Sequence, residues 1–201
     1  MLKVYGDHGS GNCYKVKLLL TQLKQSFEWV EIDILNKETR TPEFLAMNPN
    51  GKIPLLESKP GTYLSESNAI LHYLAEGSEL LPDNRLDHAR TLQWLFFEQY
   101  SHEPYIATAR YIVRYLGTPA EYTKLLQEKR APGYAALDVM EQYLASHNYL
   151  VGERYSIADI GLYAYTHVAH EGGFDLSRYH AIQSWLARVA SQPDHITMSG
   201  G

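Results

Sequence analysis

Apolar and polar positions switch between two periods along the first eighty residues. Leu2, Val4 and Tyr5 form a short apolar run suited to a buried strand, and the turn-rich stretch Gly6 to Gly11 follows. Over residues 12–23 the spacing becomes helical, with Val16, Leu19, Leu20 and Leu23 on one face. Residues 27–34 alternate and predict a second strand. Residues 42–47 predict a short helix, with Thr41 as N-cap and Pro42 in its first turn. A third strand is expected at 53–57. Lys59-Pro60-Gly61-Thr62 has turn chemistry, and Tyr63-Leu64 opens a fourth strand, so the last two strands make an antiparallel hairpin. Residues 67–76 are helical again, with Ile70, Leu71 and Leu74 inward, and stop at Gly77. The order β-α-β-α-β-β-α predicts a four-stranded mixed sheet with helices on both faces. Its first two strands are parallel through a right-handed crossover.

Strand signals end near residue 80, and the rest of the chain is helical. Residues 86–116 carry one long helical pattern, bent near Pro104. Residues 119–146 carry another, interrupted at Pro132-Gly133, where a kink or two separate helices are expected because proline deletes a helical hydrogen bond. Ser156-Ile157-Ala158-Asp159 is a capping-box variant, followed by Ile160, Leu162, Ala164 and Val168. A last helix spans about 181–190, and the polar, small-residue tail 192–201 is expected to be mobile. The chain therefore divides into an α/β domain at 1–79, a linker at 80–85 and an all-α domain at 86–201.

With 201 residues, two small domains can each bury a core. A net charge of -5 without any Lys/Arg run argues against nucleic acid as a partner. The chain has no apolar stretch long enough for a bilayer, so no membrane partner is expected. It opens on a strand rather than a leader. Cys13 stands alone, which excludes an internal disulfide and fits a reducing cytoplasm. His167 and His170 share a helical face, but two histidines without a third ligand suit structural roles better than a metal, and none is expected.

The segment Asn48-Pro49-Asn50-Gly51-Lys52-Ile53-Pro54-Leu55-Leu56, followed by Glu66-Ser67-Asn68-Ala69-Ile70, resembles the glutathione transferase family. The Ser156–Asp159 box at its downstream distance is a third match. The Val-Tyr-Gly start and the spacing from Ser10 to Val16 resemble the serine-using phi, theta and delta-like classes and their bacterial relatives. The resemblance implies a thioredoxin-like N-terminal domain that binds glutathione as co-substrate, followed by an all-helical domain. It also implies a cis Ile53–Pro54 bond, which turns the Ile53 N–H and C=O outward to pair with the cysteinyl part of glutathione. Glu66 suits the γ-glutamyl amine, while Ser67 and the adjoining helix N-terminus suit its carboxylate. Ser67 is equally readable as a helix cap and Glu66 as a solvated carboxylate. Lys52 and Arg40 are candidates for the glycyl carboxylate, although Arg40 also sits in what reads as a solvated loop.

The chemistry falls at Asp7-His8-Gly9-Ser10-Gly11-Asn12-Cys13, where a thiol meets a helix N-terminus. Ser10 is the first candidate to donate to the glutathione thiolate, with Asn12 as an alternative donor. Cys13 could instead act as a reactive thiol forming a mixed disulfide. For the electrophile, the family implies a wall built from the first helices of the second domain, here Gln99 to Ala107, with His102, Tyr105 and Arg110 as contacts and Tyr111 and Tyr115 as core. The expected activity is conjugation of the glutathione thiolate to a small hydrophobic electrophile, a detoxifying reaction, by a two-fold homodimer. Glutathione-dependent reduction of peroxides or disulfides on the same site, or a non-catalytic binding module, are the alternatives.

Overall fold

Four strands, β1 (Leu2–Gly6), β2 (Phe27–Glu31), β3 (Leu55–Lys59) and β4 (Thr62–Ser65), pair in the order β2-β1-β3-β4 in the computed structural model, which describes residues 1–198. β1 is parallel to β2 and antiparallel to β3, and β3 and β4 form the hairpin. The register pairs Tyr5 with Leu55 and Val4 with Leu56. Paired residues share a face of the sheet, so these two pairs point to opposite faces. Leu55 packs with Ile32 and Phe44, and Tyr5, Met47 and Ile53 close around them. Phe44 and Met47 come from α2 (Pro42–Met47), which therefore covers this face. Two further helices, α1 (Gly11–Gln22) and α3 (Ser67–Ala75), pack against each other.

Two compact units result, Met1–Ser78 with the segment from Pro193, and Glu79–Gln192. Two expectations for the first unit change. The second strand ends at Glu31 rather than at 34, because the Asp33 carboxylate accepts the N–H groups of Leu35 at 2.9 Å and Asn36 at 3.0 Å and turns the chain. The expected mobile tail is fastened over 193–198. The Tyr14 hydroxyl donates to the Ile196 carbonyl at 2.7 Å, and Lys24 faces Asp194 at 3.5 Å. Residues 199–201 of that expected tail lie outside the described residues.

The second unit is helical: α4 (Arg85–Phe97), a π turn (Glu98–His102), α5 (Glu103–Arg114), α6 (Thr123–Leu144), α7 (Ile157–Thr166) and α8 (His180–Ala190). Pro104 sits in the first turn of α5, where a missing N–H costs little, and a π turn just before it interrupts the long helical pattern. Leu80 and Leu81 belong to this unit, since the Leu80 carbonyl accepts the Ile157 N–H at 2.9 Å and Leu81 is buried. Among the described residues, no helix is long and apolar enough to cross a membrane.

Pro132 does not divide α6, contrary to expectation. The carbonyl deprived of its helical partner is that of Glu128, an exposed residue, so water can satisfy it. Gly133, Ala136, Leu137 and Met140, all buried, hold the continuing helix against the core. A β-carbon on Gly133 would meet the Phe174 ring at 2.5 Å, and Phe174 is itself only 1% exposed. Gly133→Ala is therefore expected to destabilise by about 1–3 kcal/mol, reversing the usual helix preference for alanine. A chemical-denaturation midpoint equal to or above wild type would contradict this packing argument.

Asp159 anchors the start of α7. Its two carboxylate oxygens accept the Leu150 N–H at 3.0 Å, the Trp185 indole N–H at 2.8 Å, the Ser156 N–H at 2.9 Å and the Ser156 hydroxyl at 3.2 Å. The expected capping box is complete. Burial pushes the Asp159 carboxyl up to about 6, against the opposing pull of these donors.

Candidate active site

Three segments meet at one end of the sheet. β1 runs out at Gly6 into the loop before α1. Leu55 pairs with both Tyr5 and Ser65, which brings Ile53-Pro54 beside the end of β1 and beside Glu66-Ser67.

In the first segment, the Asp7 carboxylate accepts the Gly9 N–H at 2.6 Å and its carbonyl accepts the Ser10 N–H at 3.0 Å, which shapes the turn. Ser10 is the N-cap of α1, its hydroxyl oxygen accepting the Cys13 N–H at 3.4 Å. A cap of this kind uses a lone pair, and the hydroxyl hydrogen can turn to the Cys13 sulfur or to a ligand. The first turn of α1 contains no acidic residue of its own. Cys13 is fully buried, and burial pushes its thiol up to about 12. Hydrogen bonding from Ser10 pulls the other way without reversing the shift. A thiol in that state supplies almost no thiolate near neutral pH. Burial thus weighs against the reactive-thiol alternative for Cys13.

In the second segment, the Ile53–Pro54 bond is cis. Among the described residues, neither the N–H nor the C=O of Ile53 has a hydrogen-bond partner. The loop before it is built on Asn48, which is 4% exposed. Its side chain donates to the Lys52 carbonyl at 2.8 Å and accepts the Asn50 N–H at 3.2 Å. Gly51 has φ +60°, and a β-carbon there would meet the Thr39 carbonyl at 2.9 Å. Arg40 donates to the Asn50 carbonyl at 3.3 Å, so it braces this loop. Lys52 is exposed.

In the third segment, Glu66 adopts φ +68°, a left-handed conformation rare for a residue with a side chain. Its side chain is exposed and makes no capping bond. Ser67 is not the N-cap that its position suggests but the first residue of α3, and it is 5% exposed. Its hydroxyl donates to the Asn12 side-chain oxygen at 3.2 Å and accepts from the Lys15 ammonium at 3.3 Å. Asn12 thus links the α1 loop to the α3 N-terminus. Lys15 was not singled out from the sequence, where one lysine between Tyr14 and Val16 carries no distinctive pattern.

The three residues expected at an electrophile site lie in the second unit and divide. His102 is fully buried in the π turn, its Nε2 2.9 Å from the Thr166 hydroxyl. Arg110 is 5% exposed and paired with Glu171 at 2.7 Å. Both are buried and hydrogen-bonded within this unit. Tyr105 is half-buried, with the Lys129 ammonium 5.3 Å from its ring centre. Tyr111 and Tyr115 stack on one another at 5.4 Å, Tyr111 being 40% exposed rather than core. His167 stacks on Tyr163 at 4.5 Å, and its Nδ1 lies 2.8 Å from the Tyr163 carbonyl.

The family profile for the glutathione S-transferase N-terminal domain matches residues 1–76, and that for the C-terminal domain matches residues 94–193. The crystal structure of a glutathione S-transferase from Pseudomonas fluorescens Pf-5 superposes with a TM-score of 0.96 at 59% identity, covering 98% of each chain. Disulfide-bond oxidoreductase YfcG of Escherichia coli K12 is 30% identical over 189 residues, which is 90% of this chain and 87% of the relative. Glutathione S-transferase F10 of Arabidopsis thaliana is 37% identical over 150 residues, or 70% and 68% of the two chains.

Proposed function

The chain belongs to the glutathione S-transferase family, and from that membership we propose how this glutathione transferase holds and activates its co-substrate. The observation that carries the reading is the meeting, at one sheet end, of the unpaired Ile53 peptide groups, the exposed Glu66 carboxylate and two helix N-termini. Glutathione offers a complementary group to each. Its cysteinyl N–H and C=O pair with Ile53 as an added strand. The γ-glutamyl amine meets Glu66, and the carboxylate on the same carbon meets Ser67 and the first N–H groups of α3. Lys52 takes the glycyl carboxylate, with Arg40 steadying the loop from behind. The sulfur then lies at the first turn of α1, where the Ser10 hydroxyl donates to it.

Donation by Ser10 and the α1 dipole stabilise the thiolate, and the thiol proton passes to solvent. The sulfur lone pair attacks an electrophilic carbon of a small hydrophobic substrate. A C–S bond forms while the leaving group departs with its electron pair. The protein contributes orientation and charge stabilisation. Calorimetric titration with glutathione, followed by turnover of an activated aryl chloride, tests the reading. Saturable binding with chloride release is expected, and a wild type that binds no glutathione sinks it.

The relative named as a disulfide-bond oxidoreductase favours a second reading on the same site. The glutathione thiolate would attack one sulfur of a small disulfide and release one thiol. A second glutathione would then resolve the mixed disulfide, giving oxidised glutathione and a second thiol. The buried Cys13 takes no part in either route. Turnover of a small disulfide in preference to the aryl chloride would favour this reading, and no oxidised glutathione formed would dismiss it.

The quaternary proposal is a two-fold homodimer in the cytoplasm, consistent with a lone, buried cysteine. Sedimentation velocity is expected to give twice the chain mass of 22.9 kDa, and a single-chain mass at micromolar concentration would refute the dimer.

A further inference from the structure

We propose that Lys15 is the positioning residue for the γ-glutamyl carboxylate of glutathione, acting through the Ser67 hydroxyl and from beneath the start of α3. The inference rests on the glutathione reading and adds a residue that touches no ligand. Lys15 lies on α1 and is fully buried, an unusual place for an ammonium group. Its Nζ donates to the Ser67 hydroxyl oxygen at 3.3 Å and to the Asn68 side-chain oxygen at 3.4 Å. These two acceptors stand on the first two residues of α3.

A hydroxyl can be donor or acceptor, but an ammonium can only donate. Lys15 therefore fixes Ser67 as the acceptor on its inner side and directs the hydroxyl hydrogen away from α1's buried lysine. That hydrogen goes to Asn12 in the free protein. A bound carboxylate, with acceptors only, takes Asn12's place. The effect reaches the ligand through the Ser67 hydroxyl, which touches the carboxylate, and not through the amine at Glu66.

The experiment measures dissociation constants of wild type and Lys15→Met for three probes. These are glutathione, glutaryl-cysteinylglycine, which lacks the amine, and 4-aminobutanoyl-cysteinylglycine, which lacks the α-carboxylate. Methionine keeps the length of the side chain and removes its charge and donors. The variant is expected to weaken glutathione and the glutaryl probe by roughly ten- to a hundredfold, and the aminobutanoyl probe by less than about twofold. Equal weakening of all three would reveal a merely structural role and overturn the proposal, as would no weakening at all. Should the methionine variant fail to fold, Lys15→Gln carries the same comparison. Wild type alone must also prefer glutathione to the aminobutanoyl probe by at least about tenfold, or the proposal fails. If wild type binds none of the probes, the glutathione reading has failed and the role of Lys15 falls with it. If wild type binds glutathione and only the pattern across probes is wrong, the Lys15 inference alone fails.

Discussion

Asp159→Ala is expected to cost about 3–5 kcal/mol of folding stability, enough to lower the melting temperature of the second unit by roughly 10 °C or more. The substitution strands the Leu150 N–H, the Ser156 N–H and the Trp185 indole N–H in the interior. It also removes the reciprocal half of the capping box at α7, the most buried helix of the second unit. The Ser156 hydroxyl loses its acceptor as well, although it can rotate. A second signature follows from the carboxyl's folded-state value of about 6 against an ordinary 3.8. Folding takes up a proton at this group between about pH 4 and pH 6, so its contribution to stability declines as pH rises through that window and is flat above it. Wild type should therefore exceed Asp159→Ala by more at pH 5 than at pH 7. Thermal melts of both proteins across that range check the prediction. A difference under about 1 kcal/mol at both pH values would mean that the carboxylate anchors nothing.

Ser10→Ala is expected to lower kcat/KM for glutathione conjugation roughly hundredfold, close to the loss of one donor to a developing or stabilised anion. Glutathione affinity should change less than about threefold, because its polar groups are held elsewhere. Ser10 also caps α1, and loss of the cap costs about 1 kcal/mol in stability. The two effects separate with Ser10→Thr, which retains both cap and hydroxyl and should keep most of the activity. They separate again with pH: the alanine variant should recover towards wild-type rate in alkaline solution, where the thiol ionises unaided. A pH-independent deficit would assign the loss to a distorted helix start. Undiminished activity in Ser10→Ala would shift the donor's role to Asn12 or to the N–H groups of the α1 first turn.

Local pattern predicted the elements well where each residue answers to its neighbours. The two parallel strands, the hairpin and the box at Ser156–Asp159 follow from periodicity, turn chemistry and caps within a few positions. It failed where a distant partner decides. Pro132 reads as a break until Phe174, forty-two residues on, is seen to pack on Gly133. The polar tail reads as free because its main tie is a backbone carbonyl at Ile196, which has no side-chain signature. His102 and Arg110 look like pocket residues because Thr166 and Glu171, their partners, lie some sixty positions away.

The site divides in the same way. Ile53-Pro54, Glu66 and Ser67 are legible as a motif, and Ser10 as a residue in a glycine-rich turn. What the sequence conceals is the wiring between them. Ser67 looks like a simple cap, yet its hydroxyl is committed to Asn12 and Lys15 on a different helix. Cys13 has the helix-start position of a reactive thiol, and its complete burial, which weighs against that role, has no signature in the sequence.

The central claim is that this chain binds glutathione and ionises its thiol at the start of α1. Titrating the thiolate absorbance of protein-bound glutathione against pH tests it most directly. The account predicts a bound thiol pKa well below that of free glutathione in wild type, rising towards the free value in Ser10→Ala. A bound thiol that titrates with the free peptide in wild type, or no bound glutathione at all, would contradict it.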